Sequence, residues 1–100
     1  MKSQREQASD FVHVTEAVSR AMGLADVNPI LLGRPRRTVA EIASILLARR
    51  RYGVPYAVIA EMLGYADHTW PLRIYQANQS VPSADIADAL EAATRLLDAV

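Results

Sequence analysis

Apolar residues recur at three- and four-residue spacing through most of this chain, and polar, glycine or proline positions separate the runs. The first run places Phe11, Val14, Ala17, Val18 and Ala21 on one face. It predicts a helix from about Glu6 to Met22, after a frayed polar start at residues 1–6. Gly23 is the expected left-handed stop. Leu24 to Leu32 is short and apolar, with a turn at Asn28-Pro29 and a further helical turn over Pro29–Leu32. Gly33 to Arg37 contains Pro35 and reads as a loop.

Thr38-Val39-Ala40-Glu41 has the form of a capping box. The helix it starts is expected to run to about Arg51, burying Val39, Ile42, Ile45, Leu46 and Ala48. Gly53 ends it, and Pro55 suits the first turn of the next helix. That helix buries Val58, Ile59, Met62 and Leu63, and Gly64 closes it. Asp67 or Thr69 then caps a third helix starting near His68–Trp70, because Pro71 is tolerated only in a first turn. Its inward residues are expected to be Leu72, Tyr75 and Gln79. Pro82-Ser83 breaks the chain, and Ser83 caps a last helix with Ile86, Leu90, Ala93 and Leu97 on one face.

There is no strand-like alternation and no internal repeat. The pattern predicts an all-α, compact helical bundle in one domain. Its parts are an N-terminal helix and turn at 7–32, a basic loop at 33–37 and a helix at 38–51. A helix-turn-helix at 55–78 and a C-terminal helix at 83–99 complete it.

Charge changes this picture more than composition does. The chain of 100 residues is formally neutral, with 11 basic and 11 acidic side chains. The distribution is uneven. Residues 34–51 hold Arg34, Arg36, Arg37, Arg49, Arg50 and Arg51 against the single acid Glu41. Local fields matter to a polyanion more than the total does. Every basic residue except Lys2 is arginine, whose planar fork can grip phosphate or guanine bidentately. The last helix is acidic, with Asp85, Asp88, Glu91 and Asp98, and offers a surface to a protein partner.

No cysteine is present, so there is neither a disulfide framework nor a thiolate metal site. No apolar run approaches the ~20 residues of a membrane span, and the first residues lack a signal peptide's apolar core. A cytoplasmic, nucleoid-associated protein is the expectation. Catalysis is not expected. Glu61 and Asp67 are a conceivable carboxylate pair without a cleft, and the serines lack histidine and carboxylate partners. His13 and His68 have no ligand spacing, and no glycine-rich phosphate loop occurs, so neither metal nor cofactor is expected.

The residues from the loop onward resemble the carboxy-terminal DNA-binding domain (domain IV) of the bacterial chromosomal replication initiator DnaA. Ser44-Ile45-Leu46-Leu47-Ala48-Arg49 stands where that domain has a helix reading roughly Ala-Met-Tyr-Leu-Ala-Arg. Ile59 and Leu63-Gly64 follow at the matching distance. Asp67-His68-Thr69 then matches the signature Asp-His-Thr-Thr-Val without a gap. The likeness covers roughly residues 10–98 and includes Leu31-Leu32.

The resemblance implies a Trp-repressor-like helix-turn-helix whose signature enters the major groove of double-stranded DNA. By position, His68 and Thr69 would face base edges, and Asp67 would cap the helix or accept from a cytosine amino group. Arg34, Arg36 and Arg37 would supply minor-groove and phosphate contacts. The implied role is replication initiation or transcription control. The chain departs from the pattern with Glu41 and Ala66 at positions that are basic in the family, and with Trp70 and Pro71 ending the signature. Fewer positive charges imply a weaker phosphate term, about one unit of salt slope per lost contact.

Trp70 has two readings: a wedge against sugar and thymine methyl groups, or a half-buried packing residue. Tyr56 and Arg73 can meet backbone phosphate or be ordinary surface residues. So can the amides at the start of the Pro55 helix, since helix N-termini attract anions. Arg49, Arg50 and Arg51 divide between phosphate contact and complementing a helix C-terminus. The competing function is a protein-interaction module that keeps the fold while Glu41, Ala66 and Trp70 have eroded specific DNA binding.

Overall fold

The computed structural model describes residues 2–23, 39–80 and 82–99. Among the described residues five α-helices follow one another: α1 (Gln4–Ala21), α2 (Val39–Leu47), α3 (Tyr56–Leu63), α4 (Thr69–Asn78) and α5 (Ala84–Asp98). No strand occurs among the described residues. The architecture is an all-α bundle. The apolar turn at Leu24–Leu32, the arginine loop and the Thr38 half of the capping box lie outside the described residues.

α1 begins two residues earlier than expected. Ser3 and Glu6 form a capping box: the Ser3 hydroxyl accepts from the Glu6 amide at 3.2 Å, and the Glu6 carboxylate accepts from the Ser3 amide at 3.3 Å. These bonds satisfy two amides that otherwise have no intrahelical partner. Of the predicted stripe, Phe11, Val14, Ala17 and Val18 are buried and Ala21 is half-buried; Thr15 and Ser19 join the buried side.

α2 is the centre of the bundle and packs against α1, α4 and α5. The periodicity predicts a one-sided helix. Instead seven of its nine residues are buried, Glu41 and Ser44 among them. A helix apolar around most of its circumference belongs in the middle of a core. The Ser44 hydroxyl donates to the Ala40 carbonyl at 2.8 Å, which satisfies it inside the core. Val39 and Ile42, expected inside, are only half-buried. The helix does not stay α-helical to Arg51. From Ala48 to Tyr52 it widens into a π-helical turn, closed by Gly53.

Gly23, Gly53 and Gly64 all adopt positive φ, as their places after helices predict. The stop at Gly64 has the widest consequences for the surface of the molecule. The Gly64 amide donates to the Glu61 carbonyl and the Tyr65 amide to the Ala60 carbonyl, at 3.3 and 2.9 Å. That pair is a Schellman motif. It turns the chain sharply out of α3 and fixes the backbone of Tyr65.

α3 and α4 pack on one another across the five-residue turn Gly64–His68. Pro55 caps α3 instead of standing inside it, and Ala60 is buried while Met62, expected inside, is half-buried. Pro71 occupies the first turn of α4, as its missing amide requires. The buried side of α4 is Pro71 and Ile74. Leu72 and Tyr75 are half-buried and Gln79 is exposed, so the inward face is rotated from the expected one. In α5 the Ser83 hydroxyl accepts from the Ile86 amide, and Ile86, Ala89, Ala93 and Leu97 are buried, with Leu90 at the margin.

Candidate nucleic-acid interface

The turn that leaves α3 delivers Asp67, His68 and Trp70 to the outside of the molecule. All three are exposed, as is Arg73 one turn further along α4; Thr69 between them is half-buried. The N-cap position of α4 is His68, whose side chain makes no capping bond; Asp67, one residue earlier, supplies the acceptor instead. Its Oδ1 accepts from the Thr69 amide at 2.7 Å. A hydrogen bond from the Thr69 side chain, then that amide bond, hold the Asp67 carboxyl below its ordinary pKa, helped by His68 and Arg73 nearby. Asp67 and Thr69 therefore clasp each other, and the threonine is not the cap. Its hydroxyl is engaged, which leaves its methyl group as the part able to meet an apolar surface.

Trp70 keeps 39% of its surface exposed. Its indole stacks on Tyr65 with centroids 6.5 Å apart and planes 24° apart. The Arg73 guanidinium carbon lies 6.0 Å from the indole centroid, at the edge of cation–π range. The surface between α2 and α4 is a shallow groove of ≈ 360 Å³ lined by Ile42, Trp70, Arg73, Ile74, Ala77 and Asn78. Trp70 is thus half supported by the fold and half presented to solvent.

Tyr56 opens α3. It is half-buried, makes an edge-to-face contact with Tyr75 at 6.1 Å and carries the Arg49 guanidinium over its ring at 4.2 Å. Its aromatic body is a packing element. Arg49 also donates to the Val54 carbonyl at 3.0 Å, Arg50 to the Gln79 carbonyl at 2.6 Å, and Arg51 pairs with Asp98 at 2.7 Å. Each arginine of the π-helical turn has an acceptor elsewhere in the chain, those of Arg50 and Arg51 at the surface.

Glu41 departs from its expected place. The family pattern makes it an acid added to the binding surface. It is instead 4% exposed, and its Oε1 accepts from the Tyr65 hydroxyl at 2.6 Å. It belongs to the core behind the α4 front. Tyr65 is the residue that sequence reasoning misses. Its position directly after Gly64 is the available signal, because the residue past a Schellman glycine commonly packs back on its helix.

The structure brings Asp67, His68, Thr69, Trp70 and Arg73 together on one surface. Arg34, Arg36 and Arg37 fall outside the described residues. No group of three or more potential metal ligands occurs among the described residues, and none of their helices is long and apolar enough to cross a membrane. No protein-family model matches this chain, and no curated protein or solved structure matches it either.

Proposed function

We propose that this chain binds double-stranded DNA with sequence preference, entering the major groove with the start of α4 in a helix-turn-helix formed by α3 and α4. The observation that carries this reading is the exposed α4 front, where His68, Trp70 and Arg73 present surface to solvent beside a helix start whose Thr69 amide is held by Asp67. Such a front can reach base edges while backbone contacts set its register. The likeness of Asp67-His68-Thr69 to the initiator signature supports the same surface. In this reading Arg34, Arg36 and Arg37 meet phosphate and the minor groove. The protein then acts on the nucleoid in replication initiation or transcription control, and the acidic side of α5 is open to a protein partner.

The test is binding to a random duplex pool at two salt concentrations, with selection of the bound sequences. Affinity should fall steeply with salt, and selection should return a defined site. Replacing Arg36 and Arg37 together with alanine should weaken all duplexes alike and reduce the salt slope by roughly two units. Absence of binding at low salt would refute the proposal. The second reading is a protein-interaction module. It is favoured by the apolar groove beside Trp70, and duplex silence at every salt concentration would support it.

A further inference from the structure

We propose that Glu41 is a positioning residue: it holds the Tyr65 hydroxyl, Tyr65 backs Trp70, and a buried carboxyl thereby sets the pose of the exposed indole on α4. The coupling itself stands apart from the DNA reading. Only its consequence for base discrimination rests on that reading.

Each link is a specific contact. Glu41 sits on α2 in the core, and burying a carboxyl is expensive unless polar partners surround it. The Tyr65 hydroxyl supplies one at 2.6 Å, a short O–H···O distance. Tyr65 is also held at its other end, since its amide donates to the Ala60 carbonyl at 2.9 Å. A ring fixed at both backbone and hydroxyl has little freedom. The indole of Trp70 lies on that ring, 6.5 Å between centroids. An unsupported surface tryptophan samples several rotamers, and ordering it on binding costs free energy. A fixed ring behind it removes much of that cost in advance. Arg73 then lies on the far end of the chain of contacts, 6.0 Å from the indole.

The opposing interpretation is that the Glu41–Tyr65 bond merely ties α2 to the turn. The protein contains one tryptophan, so emission excited at the red edge of the indole band, where tyrosine does not absorb, reports Trp70 alone. The measurement is acrylamide quenching and fluorescence anisotropy of the free full chain. The panel is the parent, Tyr65→Phe, Glu41→Ala, Glu41→Gln and the remote core variant Ile86→Val. Tyr65→Phe and Glu41→Ala should both make Trp70 more quenchable and less anisotropic. Glu41→Gln, whose amide oxygen still accepts from Tyr65, should restore the parent signature. Ile86→Val loosens α5 and should leave Trp70 unmoved.

On duplex DNA, Tyr65→Phe should narrow the preference for the selected site by about tenfold without changing affinity for random sequence. Unaltered quenching in folded Tyr65→Phe and Glu41→Ala overturns the proposal. So does an equal shift in Ile86→Val, which would make the effect general loosening. If the parent binds no duplex at all, the DNA reading falls, while the quenching contrast still decides the coupling.

Discussion

The π-helical turn after α2 and the front of α4 both carry cations, yet they have opposite relations to the fold. In the turn, Arg49 grips the Val54 carbonyl and covers Tyr56, Arg50 reaches the Gln79 carbonyl at the end of α4, and Arg51 pairs with Asp98 on α5. Arg49 braces its own neighbourhood, while Arg50 and Arg51 join segments that are distant in sequence. On the α4 front, His68 and Arg73 are exposed, and the carboxylate beside them is occupied by its own helix start. A run of arginines in a sequence therefore measures positive charge, not the charge available to a partner. What separates the two regions is where the donors already point. Arg50 links them, since its target is the last turn of the helix whose first turn is the proposed reader.

The largest expected contrast comes from removing His68. His68→Ala should leave stability within about 0.5 kcal/mol, as for other exposed positions. It should narrow the gap between the selected site and random duplex by roughly 1–3 kcal/mol. Paired titrations against both kinds of duplex provide the check. Equal weakening on both would make His68 a contact to the backbone and would dissolve the distinction drawn for the α4 front.

Arg49→Ala should do the reverse. Losing its ring contact and its bond to Val54 should lower stability by about 1–2 kcal/mol in chemical denaturation. The lower end is favoured because its Nε has no acceptor among the described residues. The salt slope of duplex binding should not change. A drop of about one unit in that slope would instead make Arg49 a phosphate ligand and merge the two regions.

Arg51→Ala should have a smaller effect still. Its pair with Asp98 lies at the surface, so Arg51→Ala and Asp98→Ala should each lower the melting temperature slightly at low salt and not at high salt. Persistence of the loss in high salt would give Arg51 a packing role.

How much of the molecule is legible in its sequence depends on range. Local signals transfer well: Gly23, Gly53 and Gly64 end their helices, Pro71 falls in a first turn, and Ser83 caps α5. The Ser3–Glu6 box is equally local yet escapes notice, because polar residues at a chain start look frayed. Which side of α2 faces outward is not legible. Val39, Ile42, Ile45 and Leu46 form an acceptable amphipathic stripe, yet Ala40, Ala43 and Ser44 are small enough for neighbouring helices to close over the other side. That enclosure turns Glu41 from an apparent surface acid into the acceptor for Tyr65, 24 positions away. A contact of that separation leaves no periodic trace. The α4 front is legible in its residues, Asp67 to Arg73, and illegible in the aromatic support beneath it.

The smallest and most local prediction concerns acid. The Asp67 carboxyl is held below its ordinary value of 3.8, first by the Thr69 side chain and then by the Thr69 amide. A carboxyl with a lower pKa in the folded chain than in the unfolded chain adds stability above the unfolded value. That contribution disappears as pH falls through the folded value. The α4 start should therefore loosen below the ordinary aspartate range and stay intact above it. Asp67 is exposed, so the effect on global unfolding should be small, and the informative probe is the Thr69 amide in a pH titration by NMR. Its hydrogen-bonded shift should collapse as Asp67 protonates, and Asp67→Asn should remove most of that pH dependence. The other end of α4 should not respond with it, because the Gln79 carbonyl that Arg50 holds does not titrate. A Thr69 amide indifferent to acid would mean that the cap does not hold the α4 start, and one titrating in step with the whole chain would mean that the two ends of α4 are not separate in stability.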